Sequence, residues 1–368
     1  MNILETWVGI VLLVIGINIV SLFMIKKEVP ILAWFLLVIV TIMSAVRNNI
    51  GEDYSSYIEL FFLCDVMDDI LPYPEISFQI LSTIIKKAEL GYQCVFAFYS
   101  VAIAVFIWKS AKVYAKDRRY ILLFISLWII SAFDMGWWFS MNVVRQYLAV
   151  AILLYAYRYL IENENKKYII WCLIAAFIHI SALVMLVLPL LLKIHISKGI
   201  YIILTCVAIV LSFTSFKYIW VGWIISQLGI YESYIDFVPL DTNVGLGLSA
   251  WFFLFQFLFL VTQLDWRIRD EYVIGVLLSL CTIMKFVLVR PYSRIVAFFS
   301  AVFIIAWIIL LYKNKIRQKT LLITSVVFVY SVTFLYGINA AQTGHDTDLR
   351  ASAGNITYKA NLSFGDDR

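Results

Sequence analysis

The chain alternates long apolar runs with short polar or basic stretches. A helix needs ~20 apolar residues to cross the hydrocarbon core of a bilayer. Ten runs approach that length: Trp7–Ile25, Pro30–Val46, Gly91–Trp108, Tyr120–Phe139, Met141–Ile161, Gly199–Phe216, Leu246–Leu264, Tyr272–Val289, Tyr292–Tyr312 and Leu321–Ile338. The first lacks a basic start and a small-residue cleavage site, and Lys26 and Lys27 follow it, so it reads as a retained span. Between Arg47 and Glu75 lies a polar, acidic loop. Beyond it, Ile76, Ile80, Leu81, Ile84, Ile85 and Ala88 share one helical face with Lys86 and Lys87 off it, which predicts a helix lying flat in the interface. From Asn339 to Arg368 the composition shifts to Gly, Asp, Asn, Thr and Ser, which reads as a solvent-exposed tail.

Composition agrees with this pattern. Of 368 residues, 63% are apolar and 14% charged, against ~25% charged in soluble domains. A soluble globule is excluded. The expectation is an all-α, polytopic integral membrane protein of about 10–12 transmembrane helices, with one membrane domain over residues 1–338 and a polar C-terminal tail over 339–368. The formal charge of +5 is too small to suggest nucleic acid. Five cysteines show no CxxC and no histidine at metal spacing, so no metal site is expected.

Cytoplasmic loops carry the Lys/Arg excess. Placing the clusters Lys26–Lys27, Lys109 to Arg119, Arg158 to Lys167, Arg267–Arg269 and Lys313 to Lys319 inside puts the 47–90 region outside. The run Tyr168 to Leu192 then has to start inside, after Lys167, and also end inside, at Lys193 and Lys198. Two half-helices of ~18 Å each satisfy this, forming a re-entrant hairpin whose tip, near Phe177 to Ser181, carries His179 and Ser181. Such a tip is tolerated only where protein buries it or it lines a wet cavity.

The same topology leaves Arg47, Arg145, Arg290 and Arg294 at outer ends of spans, with Lys285 deeper than Arg290. Charges in spans are costly, and a group of them needs an anion. Asp53, Glu52, Asp65 and Asp134 are candidates from the chain, and a diphosphate suits a guanidinium's planar fork. Arg145 has only Gln146 as a polar neighbour on its inner side. Snorkelling to headgroups is the competing explanation for these arginines, and simple packing the competing one for His179, which is otherwise suited to general-base work. Trp137, Trp138, Tyr54 and Tyr57 are candidate sugar platforms, as are Trp220, Trp223, Tyr218, Tyr231 and Tyr234, although interfacial belts enrich the same residues.

Three stretches together resemble the EpsG family of bacterial exopolysaccharide polymerases, related to Wzy-type O-antigen polymerases. They are Arg47 with Gly51-Glu52-Asp53-Tyr54 and Tyr57; Asn142 to Ala149, containing Arg145; and Ala175 to Leu183, containing His179. Glu52 stands where the family pattern has Thr. The resemblance implies a glycosyltransferase that joins undecaprenyl-diphosphate-linked oligosaccharide repeats at the outer face of the cytoplasmic membrane. Since no metal site is expected, a metal-independent reaction without a cofactor is expected too. The misplaced cations lead us to expect Arg145, Arg290, Arg294 and Arg47 on the diphosphate and His179, or else Asp53, as the base. Membrane lipids are partners, and chain-length regulators or flippases are candidate protein partners. A flippase of the same lipid-linked sugars and a histidine-dependent membrane O-acyltransferase are the rival readings.

Overall fold

The computed structural model describes residues 14–17, 30–48, 50–51, 53–65, 70–71, 74–214, 248–288, 294–313, 319–343 and 359–360. The chain divides into two compact units, residues 1–186 with 311–368, and residues 187–310.

In the first unit α1 (Pro30–Ala45) leads through the short strand β1 (Arg47–Asn48) to α2 (Tyr54–Leu63), α3 (Ile76–Lys87) and the long α4 (Gln93–Tyr114). Next come α5 (Arg119–Ile129), the short α6 (Trp137–Asn142), α7 (Val144–Ile161) and α8 (Asn165–Ile178). Helices α4 and α8 both pack on α7, and α1 packs on α4 and α5. Helix α7 is therefore the buried centre of this unit, and 15 of its residues are buried. The second unit contains α9 (Leu188–Lys193), α10 (Lys198–Ser212), α11 (Leu248–Gln263), α12 (Arg269–Val287), α13 (Ala297–Ser300) and most of α14 (Val302–Tyr312), with α10 and α11 packed on α12. Helix α15 (Lys319–Thr343) returns to the first unit, where β2 (Lys359–Ala360) pairs antiparallel with β1. Part of the expected free tail is thus tied to Arg47 and Asn48; residues 344–358 and 361–368 lie outside the described residues.

The outward faces are apolar. Ile31 is 70% exposed, Ile84 59% and Val210 65%, while Arg47, Gln79, Gln93, Asn142, Arg145 and Gln146 are buried. A surface of this kind suits the multi-pass membrane protein that the hydropathy predicts. Three helical stretches among the described residues, Gln93–Tyr114, Arg294–Tyr312 and Lys319–Ile338, are long and apolar enough to cross a membrane, and five shorter apolar helices accompany them. Helix α3 shows part of the predicted apolar face outward, while Ile85 of that face is buried. It exposes Ile76, Ile80 and Ile84 and turns Phe78, Gln79, Ser82 and Thr83 inward. Of the first predicted span, Trp7–Ile25, only residues 14–17 are described, and they are helical.

The expected span Tyr120–Phe139 is a helix that stops early. Helix α5 ends at Ile129, a 3₁₀ turn covers Phe133–Met135, and α6 begins at Trp137. Ser131, Asp134 and Gly136 supply the turn chemistry that hydropathy alone conceals. The freed backbone is satisfied locally, since the Trp128 indole donates to the Tyr147 hydroxyl at 2.8 Å and that hydroxyl donates to the Met135 carbonyl. The expected span Tyr292–Tyr312 is helical from Arg294 to Tyr312, opening as a 3₁₀ turn over Arg294–Val296 and continuing through α13 and α14.

Between Asn165 and Val187 the chain doubles back. Helix α8 ends where His179 becomes extended (φ −151°, ψ 113°), and a 3₁₀ stretch, Ile180–Val187, follows. The Tyr168 hydroxyl donates to the Met185 carbonyl at 3.0 Å, and the Cys172 thiol approaches the Ala182 carbonyl at 3.3 Å. Pairing 168 with 185 and 172 with 182 is an antiparallel register with its turn at 177–179.

Gly136 is the tightest joint in the first unit. A Cβ there would lie 2.5 Å from the Trp128 carbonyl oxygen and 2.6 Å from that of Ser131. Backbone cannot yield as a flexible side chain can, so Gly136→Ala should cost about 1–3 kcal/mol as an overpacking change. A lowered thermal midpoint of the detergent-purified protein is the expected readout.

Candidate active site

Helix α6 ends at Asn142, Val143 breaks the run (φ −107°, ψ 59°), and α7 starts at Val144. Arg145 therefore sits in the first turn of α7, at the positive end of that helix's dipole, and is 4% exposed. Such a guanidinium requires compensation. It lies 5.4 Å from the centroids of Tyr57 and Phe78, a cation–π arrangement on α2 and α3. Its charge partner is Glu75, whose Oε2 accepts from Nη1 of Arg145.

Glu75 occupies the N-cap position of α3 yet makes no side-chain cap hydrogen bond. An acid at that position ordinarily bonds its own helix. Here its second oxygen, Oε1, accepts from the Ile180 backbone N–H at 3.2 Å and lies 3.9 Å from His179 Nδ1. His179 Nδ1 is in turn 2.8 Å from the Ser181 hydroxyl, with the hydrogen on either partner. One carboxylate thus joins the start of α7 to the turn of the chain reversal. A cation able to hold an anion and an imidazole able to take a proton lie on its two sides.

The Gly51-to-Tyr57 stretch is fastened to the same helix start. Gly51 has φ +98°, a conformation that favours glycine. A Cβ there would meet the Asn142 side-chain oxygen at 2.9 Å. That oxygen accepts from the Asp53 N–H at 3.2 Å, one residue before α2. All three motif stretches named from the sequence therefore converge in the first unit.

A model of the EpsG family matches residues 31–347. The chain belongs to the EpsG family. This is a Wzy-like polymerase family, so the chain is a membrane polysaccharide polymerase of exopolysaccharide synthesis with a glycosyltransferase-like activity. Searches of curated proteins and of solved structures return no match.

Other expected site residues of this EpsG-family protein fall as follows. Arg47 is fully buried. Its guanidinium lies 4.2 Å from the Phe96 centroid and donates to the Ser44 carbonyl at 2.6 Å, closing the C-terminus of α1. Phe96 also stacks on Tyr54 at 4.9 Å and meets Tyr57 edge-on at 6.2 Å, so the rings under the two arginines touch. Tyr54 donates to the Asn48 side-chain oxygen at 3.2 Å. Trp137 donates to Ser44 Oγ at 2.7 Å, and Trp138 packs edge-on against Trp137 and Phe334. All four rings offered as sugar platforms are buried in this conformation. Arg294 is exposed at the start of its 3₁₀ turn in the second unit, where Lys285 lies 5.8 Å from the Phe253 centroid. Arg290, Glu52, Trp220, Trp223, Tyr218, Tyr231 and Tyr234 lie outside the described residues.

Among the described residues, the acid beside Arg145 is none of Asp53, Asp65 and Asp134, which the sequence had offered; it is Glu75, 70 residues away along the chain. The one available signal was its place directly before the amphipathic helix. Lys86 on the same helix donates to the Phe62 and Cys64 carbonyls at 3.0 and 2.6 Å, capping α2. Burial pushes the Cys64 thiol up from its ordinary value, against the opposing pull of the Lys86 and Arg145 charges. No group of three or more His, Cys, Asp or Glu side chains among the described residues converges as a metal set.

Replacing Gly51 with Ala imposes both the positive φ and the Asn142 contact. The expected loss is about 2–3 kcal/mol, against about 1 kcal/mol for loss of the acceptor for the Asp53 N–H in Asn142→Ala. Chemical unfolding of the two purified variants checks the order, and a Gly51→Ala protein as stable as wild type would contradict the geometry.

Proposed function

We propose that this protein extends a surface polysaccharide by transferring glycan from one undecaprenyl-diphosphate-linked repeat to another, at the outer face of the cytoplasmic membrane. The carrying observation is the single carboxylate joining Arg145 to the tip that holds His179. An acceptor sugar hydroxyl attacks the anomeric carbon of the donor. A new C–O bond forms, the bond from that carbon to the diphosphate oxygen breaks, and its electron pair leaves with the lipid diphosphate.

Two burdens follow. The leaving diphosphate gains negative charge, and we assign its stabilisation to Arg145 rather than to a metal ion. The acceptor hydroxyl loses a proton, and we assign its uptake to Nε2 of His179, the ring nitrogen opposite the one beside Ser181 and Glu75. Asp53 is tied through its backbone to Asn142 and serves the scaffold in this scheme. Arg47, stacked beneath the same aromatic group, supports the site from α1.

A lipid-linked substrate is supported by an apolar cleft of about 560 Å³ between α3 and α4, lined by Leu81, Ile85, Cys94, Ala97, Phe98, Val101 and Ala102. Phe78, one helical turn before Leu81, carries the Arg145 guanidinium on its ring. The topology we propose keeps α3 in the outer interface and the chain reversal at 177–181 re-entrant, opening to the outside.

Arg145→Lys keeps the charge but loses the bidentate fork. Chain extension in reconstituted membranes should fall by roughly 100-fold or more, with normal membrane levels. Full activity would remove Arg145 from the reaction. Ser181→Cys should react with a membrane-impermeant maleimide added outside intact spheroplasts; labelling only after permeabilisation would reverse the proposed orientation.

A further inference from the structure

Glu75 holds two groups that the reaction scheme uses separately, and a diphosphate would compete for one of them. Its Oε2 takes Arg145, the donor that suits phosphate oxygens, while Oε1 faces the Ile180 N–H and His179 Nδ1. We propose, on the reading given above, that Glu75 is a displaceable counter-ion. It neutralises Arg145 in the resting protein, yields the guanidinium to the incoming diphosphate, and then serves as the carboxylate that orients His179 and balances its charge during proton uptake.

The geometry supports displacement rather than a permanent clamp. Glu75 is at the first turn of α3, not inside it, and its carboxylate makes no bond to its own helix. Its side chain is 14% exposed, against 5% for Arg145. On release from Arg145 it keeps the Ile180 N–H, which holds it within reach of His179. Substrate arrival then does two things at once: it fills the cation with the leaving group and turns a neutralised acid into a full negative charge beside the base. Glu75 is a positioning residue in this scheme and touches no reacting atom.

A side chain with only a scaffolding role would weaken substrate binding and turnover together. A displaceable counter-ion predicts that the two move in opposite directions. With farnesyl diphosphate as the probe and farnesyl monophosphate as its control, Glu75→Gln should bind the diphosphate several-fold more tightly than wild type, because Arg145 has lost its internal competitor. Turnover of lipid-linked repeats into a polymer ladder should meanwhile fall by roughly 10–100-fold, the usual cost of losing a group that orients a functional histidine. If Glu75→Gln fails to accumulate, the same pair of measurements is made on Glu75→Asp, whose shorter carboxylate cannot span both partners. It too should bind the probe at least as tightly as wild type and turn over more slowly.

Weaker probe binding in step with lost turnover, or turnover unchanged in both variants, would overturn the role of Glu75. A wild-type protein that binds the probe yet builds no ladder from lipid-linked repeats would overturn the proposed reaction itself.

Discussion

A guanidinium buried at the start of an apolar helix is stable only if its charge is met. Arg145 has the positive end of α7 behind it and aromatic rings beside it, and neither supplies a full negative charge. The arrangement of the first unit follows from where that charge comes from. Glu75 stands at the start of α3, so α3 must bring its first turn against α7, and its remaining oxygen then fixes the turn at His179 and Ile180. Removing one member of a buried pair typically costs about 3–5 kcal/mol because the other is left uncompensated. The chain reversal at 177–179 and the placement of α3 are thereby one structural commitment.

Around this pair the polar groups are arranged in the manner of a membrane protein. Apolar side chains face outward along α1, α3 and α8, and the interior carries Gln79, Gln93, Asn142 and Gln146. Backbone freed by breaks in the helices finds partners at hand. Gln79 donates to the Leu71 and Pro74 carbonyls, at 2.8 and 2.6 Å, in the approach to α3, and Gln93 donates to the carbonyls of Ala45 and Arg47 as α1 ends. Each is a side-chain amide substituting for water where water is scarce.

Much of the fold was readable from hydropathy. The spans that became α1, α4, α7, α10, α11, α12 and α15 were placed within a few residues, because a run of apolar residues bounded by lysines has few alternatives in lipid. The break inside Tyr120–Phe139 was not readable, because Phe133 and Met135 are as apolar in a 3₁₀ turn as in a helix. The expectation of a reversal near His179 came from a different source, the placing of Lys167 and Lys193 on one side of the membrane, and the structure shows only that the chain turns at 177–179. Arg145, His179 and the Gly51 turn stood out in the sequence and lie close together in the first unit, whereas Glu75 was hidden. Its pairing depends on a contact across 70 residues, and one glutamate before a helix resembles an ordinary cap.

The most direct test of this account is proximity in the native membrane. In a background with the five native cysteines replaced by serine or alanine, cysteines at positions 75 and 180 should be joined by a thiol cross-linker that spans a few ångströms, because the first turn of α3 lies against the turn at 177–180. Cysteines at 75 and 180 that stay unlinked while a 172 and 182 pair links readily would contradict the bridge on which the site is built.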